Sequence, residues 1–222
     1  MLFESVYDVD STSKPTGNIL ATVILISFSF TTHNSQDSIP HIVGALVWIL
    51  QCKSGAVLSI AANEVVKLLS CVPNSILQHY VLDLSHPLLS LLTSHELEVS
   101  ISCAIALNMI LSNMSVKKEK QVWEMMKDAK TVECVVTNIR NFSGETMPVE
   151  YFQEMSSLLS VMLWRWPPSR YSVWNDAMLM KVLEALLLKP DLSFKVAVLK
   201  LYSSVGNILS LVNFFFFFSI FV

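Results

Sequence analysis

The sequence predicts an all-α fold, a right-handed α-solenoid of about four stacked helical repeats. Glycine occupies only five of 222 positions, and the Asn-Gly and Asp-Gly pairs that mark tight β-hairpins do not occur. Hydrophobic residues make up 53% of the chain and charged residues only 15%, which is typical of repeats that bury faces against two neighbours. Buried helical segments also recur at nearly regular intervals along the chain.

The segment 96–115, ELEVSISCAIALNMILSNMS, defines the repeating unit. Its apolar residues cover most of a helix circumference, which predicts burial on nearly all sides. Small residues such as Ser100, Ala104 and Ala106 alternate with the large ones. They would allow neighbouring helices to approach closely and to stack in layers.

Proline, glycine and polar clusters divide the rest of the chain into helices. Pro40 is expected in the first turn of a helix that Ser38 precedes. Pro87 is expected to separate two short helices, because proline cannot donate the backbone hydrogen bond of a helix interior. The predicted helices cover residues 40–53, 55–71, 75–83, 87–93, 96–115, 117–128, 131–141, 149–164, 171–188 and 192–205.

The helices that would close each unit begin near residues 55, 95, 148 and 191. Their spacings of about 40, 53 and 43 residues fit the armadillo and HEAT period of about 40–47 residues, with roughly ten residues inserted at 117–130 or 142–148. An offset of about 42 residues also superimposes one apolar helix face on the next. It aligns Ala62, Val65, Leu68 and Leu69 with Ala104, Leu107, Ile110 and Leu111.

Both ends differ from the helical repeat domain, which is expected at 19–206. Residues 1–18 are polar and predict a flexible leader. The apolar run 19–30 is shorter than the roughly 20 residues that span a bilayer, and it predicts a buried helix or a buried strand.

The tail at 207–222 contains five consecutive phenylalanines and no helical stripe. Because phenylalanine codons are rich in thymidine, one interpretation is a translated intron that interrupts the repeats. The alternative is a membrane-associated helical protein that is anchored through this tail.

Charge and cysteine usage restrict the partners and the compartment. A net charge of −3 gives no basic surface for nucleic acid. The four cysteines are widely spaced, which fits buried thiols in a reducing compartment. The acidic N-terminus lacks the basic residues of a secretory or mitochondrial signal, so a cytoplasmic or nuclear location is expected.

No common catalytic or metal-binding motif occurs in the sequence. The best local cluster contains His79, Asp83, Ser85, His86 and His95. His79 and Asp83 are four residues apart on one helix face, but no third metal ligand stands at a defined spacing from this pair. We therefore expect no enzymatic activity, no cofactor, no metal and no small-molecule substrate.

Short stretches of the chain resemble a known family. Residues 111–114 resemble the end of the third helix of an armadillo repeat. The region 108–205 resembles the armadillo-type region of plant BTB/POZ proteins, chiefly at 122–124 and 163–168. The resemblance implies a non-enzymatic protein-interaction scaffold, the substrate-binding arm of a cullin-RING ubiquitin ligase whose BTB domain docks the cullin. No BTB domain is discernible in this sequence.

Candidate partner-binding residues lie on the expected third helices and on the aromatic corner that follows one of them. Nuclear-import receptors, another armadillo group, use Trp and Asn four residues apart, and only Asn113 of this chain matches them, so import activity is not expected. Trp and Arg dominate protein-binding hot spots. The tryptophans beside Pro167 could instead pack back on their own helix end. The predicted partner-binding residues are Met109, Asn113, Trp164, Arg165 and Trp166.

Overall fold

The computed structural model describes residues 38–142 and 147–205, and every regular element within them is helical. This confirms the all-α prediction. The leader, the 19–30 run and the tail at 207–222 lie outside the described residues. The elements are α1 Ile39–Ile49, α2 Gly55–Cys71, α3 Asn74–Leu77, α4 Val81–Leu91, α5 Leu97–Asn113, α6 Val116–Asp128, α7 Thr131–Arg140, α8 Val149–Arg165, the 3-10 helix Pro167–Ser169, α9 Arg170–Trp174, α10 Ala177–Leu187 and α11 Leu192–Val205.

Four long helices form the inner layer of the solenoid, and each packs on the next in the order α2, α5, α8 and α11. They begin about 42, 52 and 43 residues apart, which confirms the predicted repeat. Helices α1, α4, α7 and α10 each pack against the inner-layer helix that follows in the same unit. Much of the extra length in the second interval lies in α6, which has 13 residues where α3 has four.

The predicted alignment of helix faces is also correct. All eight residues that the offset of about 42 brings into register are buried in the core. The same face continues in α8, where Ser156 occupies the position that Ala62 holds in α2 and Ala104 holds in α5. The inner layer is therefore built from one repeated set of small and large side chains.

Ser156 carries a buried hydroxyl group without a hydrogen-bond partner among the described residues. We expect Ser156→Ala to raise the free energy of unfolding by about 1 kcal/mol, because an unpaired buried hydroxyl is costly and alanine fits this position in α2 and α5. Urea denaturation of the two proteins measures the change. Ser85→Ala is the matched control, since buried Ser85 donates to the Val81 carbonyl at 2.6 Å and its loss should destabilise. Equal destabilisation by both substitutions would contradict the prediction.

Pro87 lies inside α4, so the predicted helix break at this residue is wrong. The expected helices at 75–83 and 87–93 are replaced by the four-residue α3 and by a continuous α4. Leu84, Pro87 and Leu88 are all buried in the core. Burial of this face outweighs the one backbone hydrogen bond that proline removes.

The predicted helix at 171–188 is also wrong, because it is divided into α9 and α10. Asn175 donates from its side chain to the Tyr171 carbonyl at 3.0 Å, and Asp176 accepts the Leu179 N–H at 2.9 Å as the N-cap of α10. Asn and Asp favour such positions, and this local signal outweighs the continuous apolar pattern. The first helix also ends earlier than predicted, at Ile49 rather than at residue 53, so five residues connect it to α2.

Candidate polypeptide-binding groove

A groove of about 670 Å³ crosses the C-terminal halves of α5, α8 and α11. We call it the inner groove. Its volume lies within the range of about 300–1,000 Å³ that ligand sites typically occupy. Its lining residues are Ser112, Glu119, Ser160, Val161, Trp164, Arg165, Lys200, Ser203 and Ser204.

Polar side chains join the successive helices that form the inner layer. Ser102 of α5 donates its hydroxyl hydrogen to the Asn63 carboxamide of α2 at 2.8 Å. Asn108 of α5 donates to the Ser157 hydroxyl of α8 at 2.7 Å. These bonds are directional, whereas apolar packing is not, so they help to set the register between neighbouring helices, and the second of them joins two helices that line the groove.

Arg165 connects two repeat units at the edge of the inner groove. Its Nη2 donates to the carbonyl oxygens of Ser112 at 3.2 Å and Met114 at 3.4 Å, where α5 ends. A cation is favourable there because the last carbonyls of a helix carry partial negative charge. Its Nη1 also lies 3.8 Å from the Glu119 carboxylate. Nη2 of Arg165 is therefore used in hydrogen bonds within the protein, and the charge of the guanidinium is partly balanced by Glu119.

The two tryptophans beside Arg165 have different environments. Trp164 is 72% exposed, and the guanidinium carbon of Arg170 lies 5.9 Å from the centre of its ring. Trp166 is only 7% exposed and stacks on Trp123 of α6, with 4.6 Å between the ring centroids. Trp164 is thus presented at the groove, whereas Trp166 belongs to the core between two units.

Met109 and Asn113 lie beside α3 rather than in the inner groove. Met109 is half-buried against the core, and Asn113 is exposed. The Asn113 side chain donates to the Met109 carbonyl at 3.0 Å, and the main-chain carbonyl oxygen of Asn113 accepts from the Gln78 side chain at 3.0 Å. The structure therefore brings two of the five predicted residues, Trp164 and Arg165, to the groove.

Sequence reasoning missed Ser160, Lys200 and Ser203 as groove residues. Ser160 and Trp164 are four residues apart on α8, and Lys200 and Ser203 are three apart on α11, so each pair shares a helix face. That spacing is the local signal that could have indicated them. It could not show that the two faces meet across one groove.

The described residues contain no group of three or more His, Cys, Asp or Glu side chains that could hold a metal ion. His79, Asp83 and His86 are exposed on the surface. The four cysteines are free, and burial raises the pKa of Cys103 to about 12. A thiol with such a pKa stays protonated near neutral pH, so Cys103 acts as a small core residue.

None of the helices in 38–142 and 147–205 is both long enough and apolar enough to cross a bilayer. The tail at 207–222, which suggested the membrane alternative, and the apolar run 19–30 lie outside the described residues.

Repeated helical units whose inner helices stack into one layer define an armadillo-type α-solenoid. Solved structures agree with this class. A computationally designed armadillo repeat protein for modular peptide recognition has a TM-score of 0.63, at 16% identity over 86% of this chain and 78% of that chain. A second designed armadillo repeat protein has a TM-score of 0.57, at 16% identity over 74% of this chain and 65% of that one.

The chain belongs to the plant ARM repeat family, which matches residues 94–207. A BTB/POZ domain-containing protein of Arabidopsis thaliana is 51% identical over 182 residues, which are 81% of this chain. The aligned region is only 18% of that relative, so the chain spans less than a fifth of the relative's length. Both findings agree with the resemblance that the sequence suggested.

Proposed function

We propose that this chain is a protein-interaction scaffold that binds an extended polypeptide along its inner groove. The observation that carries the proposal is the groove itself, which spans three consecutive helices of the inner layer and presents an exposed tryptophan beside hydroxyl and charged groups. Armadillo folds typically serve as non-enzymatic binding scaffolds. One structural neighbour, which shares the fold at low identity, was designed for modular peptide recognition.

The proposal extends to a role as the client-binding arm of a BTB-type ubiquitin-ligase adaptor. The relative from Arabidopsis thaliana contains a BTB/POZ domain, and this chain corresponds to a small part of it. In such a protein the repeats would hold the client while the BTB domain docks the ligase. The clients would then be cytoplasmic or nuclear proteins.

Selection from a displayed library of random linear peptides tests the scaffold proposal. The full chain should enrich related peptides, and these should bind it in fluorescence anisotropy measurements. Ser160→Arg should abolish their binding, because the half-buried Ser160 lies on the groove floor and a long side chain would fill the groove. Lys181→Ala is the control, since Lys181 is exposed on α10 and does not line the groove. Failure to enrich peptides, or equal binding by Ser160→Arg, would contradict the proposal.

The adaptor role needs a separate experiment. The full-length Arabidopsis relative should co-purify with a cullin when both are expressed together, and a version without its BTB domain should not. Absence of cullin from the purified protein would overturn the adaptor role and leave the scaffold proposal intact.

A further inference from the structure

We infer that the inner groove prefers an extended peptide in which an aromatic or long aliphatic side chain packs on Trp164 and a nearby acidic side chain pairs with Lys200. This inference rests on the proposed function and specifies the chemistry of the partner. Three features of the groove carry it: an exposed apolar anchor, one cation with no carboxylate of the described residues within 4.0 Å, and three hydroxyl acceptors.

The apolar anchor is formed by Trp164 and Val161, which lie three residues apart on one face of α8. Arg170 makes a cation–π contact with the indole, and its Nε donates to the Leu163 carbonyl at 2.9 Å. The ring is therefore positioned before any partner arrives, which lowers the entropic cost of binding. An aromatic or aliphatic side chain gains most from such a surface.

Lys200 supplies the cation for an acidic side chain. It is exposed, and no carboxylate among the described residues lies within 4.0 Å of its ammonium nitrogen. Arg165, the other cation of the groove, already faces Glu119 and two carbonyl oxygens. Burial raises the pKa of the half-buried Glu154, and the charge of Lys200 offsets part of this rise. Glu154 does not line the groove. The groove lining thus carries one more positive than negative charge.

Three serine hydroxyls can receive the N–H groups of an extended main chain. Ser160 donates its hydroxyl hydrogen to the Ser156 carbonyl at 2.8 Å, and Ser203 donates to the Lys200 carbonyl at 2.7 Å. Ser112 donates to the Asn108 side chain at 3.4 Å. Because each hydrogen is used within its own helix, each hydroxyl oxygen offers its lone pairs to the groove. Peptide N–H groups are the matching donors.

Fluorescence anisotropy with synthetic peptides tests the inference. The probes are labelled Gly/Ser peptides that carry one fixed phenylalanine, with aspartate scanned through the neighbouring positions and a matched series with lysine. At low salt, the best aspartate peptide should bind the full chain roughly fivefold more tightly than its lysine partner. Added salt should reduce this preference.

Substitutions test whether Lys200 contacts the acidic side chain of the peptide and whether Trp164 contacts its apolar side chain. Lys200→Glu should invert the preference toward lysine peptides, Lys200→Gln should remove it, and the surface control Lys181→Glu should leave it unchanged. Trp164→Ala should weaken binding of both series. All of the substituted residues are exposed, so the variants should remain folded, and circular dichroism checks this.

Any of four outcomes would overturn the inference. Equal affinity of wild type for aspartate and lysine peptides would remove the acidic preference, and an unchanged preference in Lys200→Glu would assign it to another group. If peptides from the displayed library bind the groove without an acidic preference, the proposed function survives and this inference fails. If neither library peptides nor the synthetic series bind, both fail.

Discussion

Phe152→Ala is expected to lower the free energy of unfolding by about 3–5 kcal/mol, the usual cost of truncating a large aromatic side chain in a core. Phe152 is fully buried on α8. Its ring centroid lies 5.3 Å from that of Phe142, which follows α7, and 5.7 Å from that of Phe194 on α11. The three rings join elements of two consecutive repeat units, so their loss weakens the interface between those units.

Urea denaturation followed by circular dichroism measures this loss of stability. Tyr171→Ala is the control, because it removes an aromatic side chain that is 79% exposed and should change stability by no more than about 0.5 kcal/mol. In a repeat protein each unit contacts only its neighbours, so hydrogen exchange should accelerate first in α10 and α11. A loss below about 1 kcal/mol, or a uniform increase in exchange along the chain, would contradict this assignment.

The inner layer could be predicted from the sequence because it depends on a repeated pattern. The predicted helix at 55–71 has the bounds of α2, and the predicted face containing Ala104, Leu107 and Leu111 is the buried face of α5. Eight of the 17 residues of α2 and nine of the 17 residues of α5 are buried, and most of them are apolar, so local hydrophobicity and tertiary position agree. This agreement explains why the fold class and the spacing of the units were both correct.

Errors occurred where a local signal and tertiary packing disagree. Proline generally breaks helices, yet Pro87 lies within α4 on its buried face. The continuous apolar pattern of 171–188 suggested one helix, whereas the cap formed by Asp176 starts a new one. In the first case packing outweighed local preference, and in the second a single polar side chain outweighed the pattern.

The groove was only partly predictable, because it depends on the relative placement of α5, α8 and α11. The aromatic and basic character of Trp164 and Arg165 drew attention to them from the sequence alone. Lys200 has no distinguishing neighbour in the sequence, and its position at the groove follows from the packing of α11 on α8. The sequence also could not show which of Trp164 and Trp166 is exposed and which is buried, because both lie at the same helix end.

Trp166→Ala is expected to destabilise the protein by about 3–5 kcal/mol, whereas Trp164→Ala should cost no more than about 1 kcal/mol. The two substitutions remove the same side chain two positions apart, so they form a matched pair. Trp166 is buried against Trp123 in a stacked arrangement, whereas Trp164 is exposed and contacts Arg170. The difference in stability between the two variants therefore reflects the different burial of the two tryptophans, because the residue type removed is the same.

A double-mutant cycle with Trp123→Ala isolates the stacking contact. The coupling free energy between positions 123 and 166 should be about 0.5–1.5 kcal/mol, whereas positions 123 and 164 should show almost none. Urea denaturation of the single and double variants provides all the required values. Equal destabilisation by Trp164→Ala and Trp166→Ala would mean that both rings support the corner between α8 and α9. Loss of peptide binding in Trp164→Ala could then result from a loss of stability rather than from the loss of a groove contact. That variant would therefore no longer test recognition by itself.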